Sequence, residues 1–173
     1  GFVGSTRAFN QWLKPYVETV RALFPELQVF SYVDDCLLLL PTQLRVFARR
    51  TISQVRAVLQ KLGLPIREDK SQCEPATKTK FLGFVLDTNL MTIGCPRKKA
   101  RKIRKQIRQS LKQAAIGRLR VRSFACTLGM IIALLPAARN ARLHAAFLFG
   151  AQQKALENGG WMRNPKVRIS QEA

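Results

Sequence analysis

Residues 28–40 read Gln28-Val29-Phe30-Ser31-Tyr32-Val33-Asp34-Asp35-Cys36-Leu37-Leu38-Leu39-Leu40. The first six, rich in β-branched and aromatic side chains, predict a strand. The last five predict a second strand buried on both faces, with Asp34-Asp35 as the turn between them. The result is a β-hairpin with an acidic tip. Two-residue hairpin turns normally take Asn-Gly or Asp-Gly, and adjacent carboxylates destabilise one another unless a cation lies between them. A locally unfavourable choice of this kind points to function. Hard divalent cations take oxygen ligands, and a tight turn projects two carboxylates beyond the sheet while apolar strands hold them rigid. Asp34 and Asp35 are therefore candidate ligands for a hard divalent cation. The plain alternative is a solvent-facing turn. Against it, these two residues are a fifth of the ten acids in a chain carrying thirty Lys and Arg.

That imbalance gives a net charge of +20 and a pI near 11.1 over 173 residues. Such a chain repels itself unless a polyanion is near, and nucleic acid is the leading partner. With 47% hydrophobic and 23% charged residues the chain reads as globular, one domain or one with an appendage. Membrane insertion would need roughly 18 consecutive apolar residues. The run Leu128 to Ala138 is broken by Gly129 and Pro136 and reads as a buried helix. The opening Gly1-Phe2-Val3-Gly4 is apolar and carries no signal-peptide pattern, as if cut from inside a larger domain. Cys36, Cys73, Cys95 and Cys126 form no Cys-x-x-Cys pair and have only His144 as a possible co-ligand. They read as free thiols in a reducing, intracellular compartment, not a zinc site.

Outward from the hairpin, Phe9, Leu13, Val17, Val20 and Phe24 recur at helical spacing, predicting a helix from Ser5 to Leu23 ended by Pro25. Thr42 is the expected cap of a second helix, whose stripe Leu44, Phe47, Ala48, Ile52, Val55, Leu59 and Leu62 reads as core up to Gly63. Leu64-Pro65-Ile66 is extended, Arg67 to Ser71 a polar turn, Lys80 to Leu86 a strand, and Met91-Thr92-Ile93 a segment pairing back on it. This half is α+β.

After Pro96, twelve of the 26 residues from Arg97 to Arg122 are Lys or Arg and none is acidic. Ile103, Ile107, Leu111 and Ala114 keep helical spacing there, so the segment predicts an amphipathic helix with an apolar seam and a cationic outer face. Arg97, Lys98, Lys99, Arg101, Lys102, Arg104, Lys105, Arg108 and Lys112 are too dense to pair with local acids. Such a face suits the phosphates of a duplex, with sequence-independent, salt-sensitive affinity. Ser123 is the expected cap of another helix through Leu135, Ala137 to Leu156 reads as helical, and Asn158 to Ala173 gives no signal.

Tyr32-Val33-Asp34-Asp35 resembles the catalytic box of reverse transcriptases from retroviruses, hepadnaviruses and retrotransposons, and other boxes follow in order. Gly1 to Phe9 resembles the family's Gly-rich box, which touches template and incoming nucleotide; Gly1, Arg7 and Phe9 match, while Ser5-Thr6 stands where the family often has Ala-Pro. Leu62 to Ile66 with Lys70-Ser71 resembles the next box, whose lysine lies near the triphosphate and is a candidate proton donor to pyrophosphate. Lys70 is equally a solvated turn lysine. Phe81-Leu82-Gly83-Phe84-Val85 resembles the primer-grip hairpin, although Phe81 and Phe84 equally suit core packing. Met91-Thr92-Ile93 with a basic helix soon after looks most like retrotransposons carrying a tyrosine recombinase.

The resemblance implies a partial polymerase palm over 1–93, a basic helical thumb or connection over 94–156 and a tail over 157–173. It implies an RNA-directed DNA polymerase using two Mg2+ ions, with Asp34, Asp35 and Lys70 catalytic. Nucleic acid or nucleotide would meet Gly1, Arg7, Phe9, Tyr32, Phe81, Leu82, Gly83, Arg97, Lys98, Arg101, Lys102 and Lys105. The expected partners are RNA or an RNA/DNA duplex, a dNTP, and an upstream polymerase segment or second chain; no membrane is expected. In this family a further aspartate upstream of the Gly-rich box completes the metal site, and no residue here matches it. The chain alone is therefore expected to be inactive. The alternative is a polymerase remnant kept as a non-catalytic RNA-binding component of a ribonucleoprotein such as a ribosome.

Overall fold

The computed structural model describes residues 4–138, 140–157 and 159–169, and of His144 only its place in a helix. It confirms the α+β reading: helices pack with short antiparallel sheets. The chain forms two compact units, residues 1–82 and 83–173. The second unit includes a β-hairpin ahead of the basic helix.

In the first unit α1 (Ser5–Leu23) buries Leu13, Val17 and Val20 on one stripe. Phe24, the residue before Pro25, is turned out of helical geometry and ends it, as expected of a pre-proline position. Strands β1 (Gln28–Tyr32) and β2 (Asp35–Leu39) pair antiparallel, Val29 opposite Leu38 and Tyr32 opposite Asp35. Val29, Leu38 and Leu40 join α1 and Val55 in a core. Each fully buried Val or Leu contributes about 1.5–3 kcal/mol. The Arg21 guanidinium donates to the Val29 carbonyl at 2.7 Å and ties the end of α1 to β1.

Three expectations in this unit need correction. Residues 36–40 are not buried on both faces: Leu37 and Leu39 lie on the face opposite the core and stay half-exposed. Thr42 caps no α-helix; a 3-10 turn over Thr42–Phe47 precedes α2 (Ala48–Lys61), and no side-chain cap bond is made at either start. The tighter turn rotates Phe47 out of the stripe, leaving it 55% exposed. Gly63 does end α2. Its φ of +79° is left-handed. Leu64 donates to the Leu59 carbonyl at 2.9 Å and Gly63 to the Gln60 carbonyl at 3.0 Å, a Schellman cap closed by Leu59 and Leu64 on the core.

The apolar run Lys80 to Leu86 is not one strand. It breaks into β3 (Lys78–Phe81) and β4 (Phe84–Asp87). Leu82 and Gly83 both have positive φ, +47° and +75°, the geometry of a two-residue type I′ turn.

In the second unit β4 pairs antiparallel with β5 (Thr92–Gly94). Helices α3 (Arg97–Ala115), α4 (Val121–Ile132) and α5 (Ala141–Glu157) follow, with a short α6 (Gly160–Arg163). The core gathers Leu119, Val121, Phe124, Leu128, Ala155 and Val167. Helix α4 starts two residues before Ser123, which does not cap it, because Arg120 already holds the extended capping geometry. The tail that gave no sequence signal is built in: Val167 donates to Leu119 and Pro165 accepts from Val121, fastening 165–167 beside the start of α4.

The inner stripe of α3 is more polar than expected. Leu111 is 60% exposed, and buried Ser110 takes the inner position. Thr127 on α4 donates to the Ser123 carbonyl at 3.1 Å, so at its 2.7 Å contact with Ser110 it accepts. Gln106 donates to the same oxygen at 3.3 Å.

Two stability outcomes follow. Replacing Gly63 by Ala puts a Cβ into open space but at a left-handed φ; the urea midpoint should fall, with unchanged slope, by the equivalent of about 1–2 kcal/mol. Thr127→Val strands the Ser110 and Gln106 donors and should cost about 1–3 kcal/mol in the same measurement, whereas Leu111→Ala should cost far less.

Candidate functional site

The acidic tip departs from the expected turn by one residue. The two central residues are Val33 and Asp34, since β1 ends at Tyr32 and β2 begins at Asp35. Val33 has φ +52° and Asp34 is not among the positive-φ residues. This is a type II′ turn, whose first central position normally belongs to glycine. A β-branched residue there costs on the order of 1–3 kcal/mol and persists only where its surroundings over-determine it. Five register pairs behind the tip do so. Asp34 stands at the exposed apex, and Asp35 lies opposite Tyr32, 61% exposed, on the hairpin face away from the core.

Two adjacent carboxylates at a rigid apex fit a hard cation as part of a ligand set. Among the described residues no group of three His, Cys, Asp or Glu comes together to hold a metal ion. Cys36 reports on the same field: shielding of its sulfur by the surrounding chain, then the charges of Asp35 and Asp34, push the thiol above its ordinary value of 9.0. The residue as a whole remains exposed, and all four cysteines are free thiols.

The other sequence candidates are dispersed. Gly1 lies outside the described residues. Arg7 is exposed on α1, on a shallow surface shared with Gly4, Thr6, Asn10, Gln11 and Lys14. Phe9 turns to the opposite side, half-buried against the core with its ring 5.6 Å from that of Trp12. Lys70 closes the Arg67–Lys70 turn by its amide. The acids beside it are engaged elsewhere, Glu68 by Arg56 and Asp69 by Arg67 at 2.8 Å, and the Lys70 side chain is exposed. Phe81 is half-buried at the end of β3, and Leu82 and Gly83 form the exposed turn after it.

Helix α3 sorts its nine cations by face. Arg97, Arg101, Arg104, Lys105, Arg108 and Lys112 line one cleft of about 840 Å3 that also touches Cys95. Lys98 and Lys102 are exposed but do not line it. Lys99 alone among the nine is half-buried.

Residues 1–86 match the family model for reverse transcriptase (RNA-dependent DNA polymerase). Residues 1–86 belong to the reverse transcriptase family. The chain is similar to the Gag-Pro-Pol polyprotein of Human T-cell leukemia virus 2, 34% identical over 94 residues, and to that of Human T-cell leukemia virus 3 (strain Pyl43), 36% identical over 92. Each alignment covers 53% of this chain and 6% of the polyprotein. The chain thus spans a small part of the length of the curated relatives it matches.

Two features, one inside residues 1–86 and one beyond them, escaped sequence reasoning. The strain at Val33 was hidden because the register places the turn, and Val33 differs in composition from no ordinary strand residue. The burial of Lys99 was hidden in a run of like charges, although its spacing of four and eleven from Ile103 and Ser110 carries the signal.

The field at the tip has a measurable consequence. A raised thiol value leaves less thiolate at a given alkaline pH, so Cys36 should be alkylated more slowly at pH 8.5 than a cysteine in an unfolded peptide. Asp35→Asn removes the larger of the two raising charges and should speed that alkylation, read site by site by mass spectrometry. An unchanged rate would show that the carboxylate does not face the thiol.

Proposed function

We propose that the chain supplies the carboxylate hairpin and a duplex-tracking helix of an RNA-directed DNA polymerase. The observation that carries this reading is the placement of Asp34 and Asp35 at a strained hairpin apex within the reverse transcriptase segment. A bound pair of Mg2+ ions would activate the primer hydroxyl and steady the triphosphate. The chain's own part is to fix two oxygen ligands at the apex, Tyr32 lying opposite Asp35. Arg7, by the family resemblance, would face template or nucleotide, and Lys70 would stand near the triphosphate with its proton available. Mg2+ demands a near-octahedral oxygen set and two carboxylates supply only part of it, so a further ligand has to come from another polymerase segment. The isolated chain is expected to extend no primer.

The cationic cleft on α3 supplies the second half of the reading. Six cations on one face, with no acid on the helix, suit successive phosphates and carry no base readout. The bound polymer would be RNA or an RNA/DNA duplex.

Two measurements test the reading. The full-length protein carrying this segment should extend a DNA primer on an RNA template with magnesium, and Asp34→Asn should abolish extension. Full activity in that variant sinks the ligand assignment, and co-purification with one defined RNA without any extension would replace catalysis by a structural RNA-binding role. For the isolated chain, primer-template affinity should fall with salt at a logarithmic slope of about −5 if all six cleft cations meet phosphates. Constant affinity from low to high salt would refute phosphate tracking.

A further inference from the structure

The half-buried Lys99 is the exception on α3. It lies in line with Ile103, Gln106 and Ser110, the side of the helix that packs on α4, while the cleft cations lie on the other side. Its ammonium sits 4.2 Å from the centroid of the Phe84 ring. That distance is well inside the range of a cation–π contact. The same nitrogen donates to the Gly83 carbonyl at 3.5 Å, and a Cβ placed on Gly83 would meet it at 3.6 Å. The charge is thus spent on a ring face and a carbonyl dipole. A cation so engaged is a poor phosphate ligand, because each phosphate contact would first have to break both interactions.

We propose that Lys99 is a positioning residue: it locks the Gly83-Phe84 backbone onto the first turn of α3, so that β4 and the cationic cleft are presented to a duplex as one rigid surface. The duplex part of this statement rests on the function proposed above; the lock itself does not. Lysine suits the task because its long stem reaches back over the ring while one N–H meets the carbonyl. Arginine can stack on the same ring, whereas methionine keeps the stem and loses the charge.

The lock is tested first on the 173-residue chain without nucleic acid. In NMR spectra the Lys99 ε-methylene protons should lie upfield of the other lysine ε-methylenes, shifted by the Phe84 ring current, and return to them in Phe84→Leu. Protons that already coincide with the rest would overturn the proposal. The second arm is primer-template binding across a salt series. Lys99→Met should weaken binding about two- to fivefold, the size of one exposed cation–π contact, without changing the salt slope. Phe84→Leu should do the same, the double variant should be no worse than either single, and Lys99→Arg should restore binding. Lys105→Met, from the cleft, should lower the slope by about one. If Lys99→Met behaves like Lys105→Met and adds to Phe84→Leu, Lys99 is a phosphate contact and the proposal fails. If no variant, Lys105→Met included, alters binding, the duplex reading fails while the NMR arm still decides the lock.

Discussion

The antiparallel register of β1 on β2 is the constraint on which the first unit depends. Pairing Val29 with Leu38 and Tyr32 with Asp35 sends Val29, Leu38 and Leu40 to the core and the opposite set outward. A slip of β2 by one residue would exchange its two faces, turning Asp35 inward and Leu38 and Leu40 outward. The same register leaves only Val33 and Asp34 for the turn, and so forces Val33 into a left-handed conformation that its branched side chain resists. Core burial therefore offsets the strain and keeps Asp34 at the apex with Asp35 beside it at the start of β2.

A two-stranded hairpin is at best marginally stable by itself in water. Here α1 covers one face through Leu13, Val17 and Val20, and the Arg21 bond to the Val29 carbonyl fixes the helix against β1. The uncovered face keeps Phe30, Tyr32, Leu37 and Leu39 beside Asp35, an apolar approach to a pair of charges. Lower local polarity there strengthens whatever electrostatic interaction the carboxylates make.

In the second unit the polar contacts of Thr127 with Ser110 and Gln106 play a comparable part. Apolar packing alone lets a helix rotate by a fraction of a turn at little cost, because one methyl replaces another. Directional bonds do not, and two of them run from α3 to the Thr127 hydroxyl. They hold α3 with Ile103 and Ser110 inward. Six cations consequently face one cleft, Lys99 faces Phe84, and anions from outside would relieve the mutual repulsion among the six.

The sequence by itself determined the elements whose signal is local. The stripe of α1, the left-handed stop at Gly63, the acidic hairpin and the one-signed charge of α3 all arise from side chains within a few residues of each other, which is the range over which periodicity and capping act. The reverse transcriptase boxes are legible for the same reason, being short runs. What only the tertiary structure decided are matters of register and partner. The turn at Val33-Asp34 is set by which strand residue meets which. The break at Leu82-Gly83 needs two positive φ angles that an apolar run does not announce. The inward Ser110 is polar and reads as surface until its partner on α4 is known. Lys99 reads as one cation among nine until the ring of Phe84, fifteen residues earlier, is brought over it. In each case the deciding energy lies between residues distant in the chain, and composition carries no record of such pairings.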